Sequence, residues 1–143
     1  MNSMKGFEMS AVNLLDTIGN TPLVALENLF SGQQAKVFAK LEFFNPTSSI
    51  KDRIVHHIIE DAERTGQLEP GGTIVENTSG NTGAAIAMIA ALKGYRAMLT
   101  MPDKVSKEKQ AALTALGAEI VVCPTEAVPG TSDHYVQRAR DIA

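Results

Sequence analysis

Two short segments of this sequence carry residue types and spacings that could do chemistry. The first is Asn45-Pro46-Thr47-Ser48-Ser49-Ile50-Lys51-Asp52-Arg53. A turn-forming stretch with serines at candidate N-cap positions delivers Lys51 into the first turn of a helix that buries an apolar face. That is a poor place for a cation. The positive end of the helix dipole and loss of solvent both disfavour the charged form and favour a neutral, nucleophilic amine. Such an amine can form a Schiff base with an aldehyde. An ordinary solvated helix-start lysine, partly offset by Asp52, has the same local sequence, so the segment alone leaves both readings open.

The second segment is Thr78-Ser79-Gly80-Asn81-Thr82-Gly83, placed directly between a strand and a helix. Its glycines let the backbone approach a ligand closely, and the free N–H groups of a helix start favour anions. Two threonines and a serine add hydroxyl donors suited to a carboxylate or phosphate, and Asn81 can donate to an oxyanion. The loop has neither the lysine of a Walker A motif nor the glycine spacing of a dinucleotide fingerprint. A tight, capped turn would need fewer glycines and fewer polar groups than stand here.

The elements that must position these groups alternate regularly. Thr73 to Asn77, Arg96 to Met101 and Ala118 to Cys123 are β-branched or apolar runs closed by polar, proline or glycine residues, and each reads as a buried strand. Between them, Ala84 to Lys93 reads as an alanine-rich helix stopped by Gly94. Ser106 to Leu116 reads as a second, with Ser106 as N-cap and Gly117 as C-cap. Strand, helix, strand, helix, strand predicts right-handed crossovers and a parallel sheet. The helix from Ala84 is apolar nearly all round, so it should be covered on several sides. Upstream, Pro22 to Leu26 and Val37 to Phe43 read as strands, with Phe43 and Phe44 packing one to each side. Lys51 to Thr65 reads as a helix with Ile54, Val55, Ile58, Ile59 and Ala62 on one broad face. Asp133 to Ala143 has helical character.

Size and composition exclude several classes. The 143 residues suffice for one compact domain, and a formal net charge of -3 gives no basic surface for nucleic acid or membrane lipid. The longest apolar run, Ala84 to Leu92, is too short to span a bilayer. Residues 1–10 read as a disordered leader and 11–143 as an α/β domain. The single cysteine, Cys123, excludes an intrachain disulfide framework, suits a reducing cytoplasmic location, and reads as a small buried hydrophobe. His56 and His57 are adjacent on a helix and face different directions, so they form no common metal site and no metal is expected.

Together the motifs identify a resemblance. The Gly19-Asn20-Thr21-Pro22-Leu23 opening, Lys51-Asp52-Arg53, Thr78 to Gly83, Met101-Pro102 and Leu116-Gly117-Ala118 occur in an order similar to that of fold-type II pyridoxal-phosphate (PLP) enzymes of the cysteine synthase and cystathionine β-synthase group. The resemblance implies a parallel, Rossmann-like, three-layer αβα fold of the tryptophan synthase β-like type, with pyridoxal 5′-phosphate as cofactor. It assigns Lys51 as the covalent anchor of the cofactor and as the base that takes the substrate Cα proton. It assigns Asn81 as the hydrogen-bond donor to the cofactor's 3′ oxygen. Thr78, Ser79, Gly80 and Thr82 become the site of the substrate α-carboxylate. The reaction implied is β-replacement: serine or an O-acylated serine loses its β substituent, and a thiol or sulfide adds. A homodimer is implied for the complete protein.

Within the group, Glu42 to Asn45, Ile59 to Glu63 and Ser106 to Lys109 look more like cystathionine β-synthases than O-acetylserine sulfhydrylases. Ser48 stands where many relatives have glycine, and Asn77 where many have proline. The resemblance also implies a glycine-rich phosphate loop and a pyridine-nitrogen partner beyond residue 143, so the chain reads as a truncated N-terminal portion. A truncated, non-catalytic member acting as a binding or assembly module is the alternative. A nucleotide-binding α/β domain is disfavoured, since no acidic ribose partner follows the next strand.

Overall fold

The computed structural model describes residues 12–30, 32 and 34–143, so the leader expected at 1–10 lies outside the described residues. Two short strands, β1 (Leu23–Ala25) and β2 (Phe38–Lys40), pair antiparallel with Val24 opposite Ala39. Helix α1 (Lys51–Arg64) follows, and then the alternating unit begins: β3 (Thr73–Asn77), α2 (Asn81–Lys93), β4 (Arg96–Pro102), α3 (Lys107–Ala115), β5 (Glu119–Cys123) and α4 (Tyr135–Ile142). The strands β3, β4 and β5 form a parallel sheet in that order, with Asn77 opposite Thr100 and Pro102 opposite Cys123. This is the parallel α/β architecture expected from the sequence.

Side-chain alternation along β4 assigns the layers. Leu99 faces α2 and α3: a Cβ placed on Gly83 would lie 3.3 Å from Leu99 and 3.6 Å from Leu113. The next residue, Thr100, points to the other face, where its hydroxyl donates to the Tyr135 carbonyl at 2.7 Å. Helix α4 therefore covers the face opposite α2. As its all-round apolar sequence predicts, α2 is buried along most of its length, from Gly83 to Ala90. Val55 and Ile59 of α1 pack with it, and Ile89, Leu99 and Met101 are fully buried at the centre.

Four local expectations are corrected. The strand expected over Val37 to Phe43 ends at Lys40, and Glu42–Phe44 forms a 3-10 turn. Phe43 and Phe44 do not flank a strand; their rings stack at 4.8 Å and are 60% and 58% exposed. The turn swings Glu42 inward toward Arg53, an ion pair that a continued strand could not make. Helix α2 starts at Asn81 rather than Ala84, because Gly80 is the extended residue before it and the Gly83 N–H already closes onto the Gly80 carbonyl. The last helix begins at Tyr135, behind His134, whose ring accepts from the Val136 N–H.

Candidate functional site

Lys51 is the first residue of α1 and is half-buried. Its N–H donates to the Ser49 hydroxyl at 3.1 Å, so the serine cap predicted from sequence forms one residue ahead of Ile50. Ser48 adopts a left-handed backbone with φ of 59°, a conformation that favours glycine. A glycine would take this conformation without strain.

The loop after β3 continues the parallel ladder for one residue, with the Thr78 N–H donating to the Thr100 carbonyl at 3.0 Å. The chain then breaks outward. The Gly80 N–H donates to the Thr78 hydroxyl at 3.3 Å, and the first turn of α2 begins. Ser79, Gly80 and Asn81 are exposed, whereas Thr82 is half-buried and Gly83 buried. Gly83 is required by contact: a Cβ there would lie 2.9 Å from the Thr78 methyl. The loop is therefore seated against the sheet at the carboxyl ends of β3 and β4, where open parallel sheets present ligand sites.

Lys51 and Thr82 line one cavity of about 240 Å³ between α1, α2 and β3. Its walls are largely apolar, from Ile54, Ile58, Ile74 and Ile86, and Glu76 adds a carboxylate whose Oε1 accepts from the Asn77 N–H at 2.9 Å. Ser79, Gly80 and Asn81 line a second cavity, of about 170 Å³, with Lys109 of α3. Thr78 lies outside both linings, its hydroxyl engaged with Gly80. Glu76 and Lys109 were not singled out from sequence. Nothing in the spacing of Lys109 tells of the cavity that the α2–α3 packing creates.

Among the described residues no group of three or more His, Cys, Asp or Glu side chains could hold a metal ion, and no helix is long and apolar enough to cross a membrane. His56 meets Glu60 one turn on along α1, while His57 is exposed. Cys123 is buried, which pushes its thiol above the ordinary value.

The donor types suit an aldehyde bearing acidic oxygens, a primary amine and a hydroxyl on one apolar wall and an amide with further hydroxyl and N–H groups at the start of α2, and they are divided between two cavities. The loop and Lys51 lie at the strand ends, where open parallel sheets present ligand sites. The comparisons agree. Residues 14–143 match the family model described as pyridoxal-phosphate dependent enzyme. The chain is 46% identical over 130 residues to a cystathionine beta-synthase of Dictyostelium discoideum, covering 91% of this chain and 26% of that protein. It is 48% identical over 132 residues to a probable cysteine synthase of Bacillus subtilis, covering 92% of this chain and 41% of the relative. A solved O-ureido-L-serine synthase superposes with a TM-score of 0.78 at 41% identity, over 91% of this chain and 40% of that structure. This chain belongs to the pyridoxal-phosphate-dependent enzyme family, and it spans between 26% and 41% of the length of the first two relatives.

Proposed function

We propose that Lys51 holds pyridoxal phosphate covalently and that the protein carries out β-replacement on serine or an O-acylated serine, with a thiol or sulfide as the incoming group. The observation that carries this reading is the meeting of Lys51 and Thr82, from two separate motifs, on the wall of one largely apolar cavity. The cofactor, when bound, supplies the electron sink for chemistry at the substrate Cα and Cβ. The chain's own groups do the rest. The Lys51 Nζ would hold the cofactor and, as a free amine, would be the base for the substrate Cα proton. The Asn81 amide would donate to the 3′ oxygen of the cofactor. The hydroxyls of Thr78, Ser79 and Thr82 and the Gly80 N–H take the substrate carboxylate, for which the weak Gly80–Thr78 contact must open. Ile54, Ile58, Ile74 and Ile86 give Lys51 an apolar wall against which a planar ring can pack.

Similarity does not separate the two named activities: cystathionine beta-synthases and cysteine synthases align at comparable identity. The Glu42 to Asn45, Ile59 to Glu63 and Ser106 to Lys109 segments favour the cystathionine β-synthase type. The reading extends to a cytoplasmic homodimer, in keeping with a lone buried cysteine. The test is to supply the protein with PLP, then with serine or O-acetylserine, each with sulfide and with a thiol amino acid, and to identify products by mass. A thioether or cysteine product lost in Lys51→Ala supports the reading. Absence of product from every pair, with PLP bound at Lys51, refutes it.

A further inference from the structure

The residues immediately after Lys51 reach back to the chain before it. Arg53 grips Glu42 with a bidentate fork, Nε to Oε2 at 2.8 Å and one Nη to Oε1 at 3.1 Å. The same Nη donates to the Thr21 hydroxyl at 3.1 Å, and that hydroxyl donates to Glu42 Oε1 at 2.8 Å. Asn45 donates to both the carboxylate and the carbonyl of Glu42 at 2.8 Å, and its amide oxygen accepts from the Gly19 N–H at 2.8 Å. The fit is close: a Cβ on Gly19, where φ is 88°, would lie 2.9 Å from the Arg53 guanidinium. Asp52, fully buried, makes a second closure by accepting from both the N–H and the hydroxyl of Thr47.

We propose that Arg53, Glu42 and Asp52 are positioning residues that close two rings around the Thr47–Lys51 segment and fix the backbone of Lys51. One ring joins 53 to 42, the other 52 to 47, and Lys51 belongs to both. Polar clusters of this kind add little net stability over a well-packed apolar turn, because desolvation offsets the attraction between the charges. What they add is a defined geometry, which a reacting amine on a flexible four-carbon stem needs at its root. Thr21, Asn45, Ser49 and Asp52 are all buried, so the rings are held on the protein side rather than by solvent. The inference rests on the reading that Lys51 is the cofactor anchor, and the test separates the two.

Amide hydrogen exchange is measured for the full chain, its Arg53→Met variant and its Arg53→Lys variant, each at a temperature equally far below its own melting midpoint. The same proteins are treated with PLP and borohydride, and the share of label on Lys51 relative to the other lysines is mapped. In Arg53→Met, exchange across residues 45–51 rises about tenfold while α2 is unchanged, and the Lys51 share of label falls about tenfold. Arg53→Lys restores part of both, since the cation returns without the fork. Unchanged exchange across 45–51, or an equal rise in α2 as from general loosening, overturns the proposal, as does a Lys51 share that is preserved in Arg53→Met. Wild-type protein that is not labelled preferentially at Lys51 refutes the anchor reading instead, and the exchange comparison then decides on the clamp by itself.

Discussion

Thr82, in the first turn of α2, and Lys51, in the first turn of α1, line the same cavity although they come from different motifs. In Thr82→Ala a hydroxyl donor leaves the proposed carboxylate site while the helix start and the apolar wall remain. Binding of the amino acid substrate to PLP-loaded protein should weaken by roughly 10- to 150-fold, the loss of one hydrogen bond to a charged group, about 1.5–3 kcal/mol. Thr82→Ser should retain most of the affinity. A spectroscopic titration with serine reads both, and equal affinity for all three proteins would remove Thr82 from the site.

Gly83 separates the loop from the sheet by less than a methyl group. Gly83→Ala forces the new Cβ against Thr78 and Leu99, with overpacking expected to cost about 1–3 kcal/mol, in spite of the better helix propensity of alanine. A drop of several degrees in melting temperature should accompany it. An unchanged or raised midpoint would show that the β4–α2 contact relaxes freely.

The carboxyl of Glu42 is held down to about 2 from an ordinary 4.5, first by the hydrogen bond from Arg53 and then by that from Thr21. Glu63 is likewise lowered, by Lys93 and Tyr95, whose ammonium and hydroxyl both donate to it at 2.7 Å. A group depressed on folding contributes stability that is complete above its unfolded value and lost as pH falls through the folded one. Melting temperature should therefore fall between about pH 4.5 and pH 2, and Glu42→Gln should show a shallower fall over that window. Identical slopes for the two proteins would contradict the assignment to Glu42.

Much of this was legible in the sequence for physical reasons. The β3–α2–β4–α3–β5 unit is written in β-branched strands, an apolar helix and glycine stops, signals that act locally and survive tertiary packing. Lys51 and the Thr78 to Gly83 loop stood out by residue type. The turn at Glu42 to Phe44 did not: besides Asn45 three residues on, it is held by Arg53 eleven positions downstream, a contact that local propensity does not encode. The same holds for Glu76 and Lys109, which enter their cavities through helix packing. Ser48 is the intermediate case. It was noted in the sequence, and its positive φ is visible only in the structure.

The most direct test of the account is the absorbance spectrum of the purified protein after addition of PLP and dialysis, recorded beside Lys51→Ala. The account predicts a Schiff-base band near the visible edge that survives dialysis in the wild type and is absent from the variant. A band that persists in Lys51→Ala, or none in either protein, would contradict the assignment of Lys51 as the anchor in this chain.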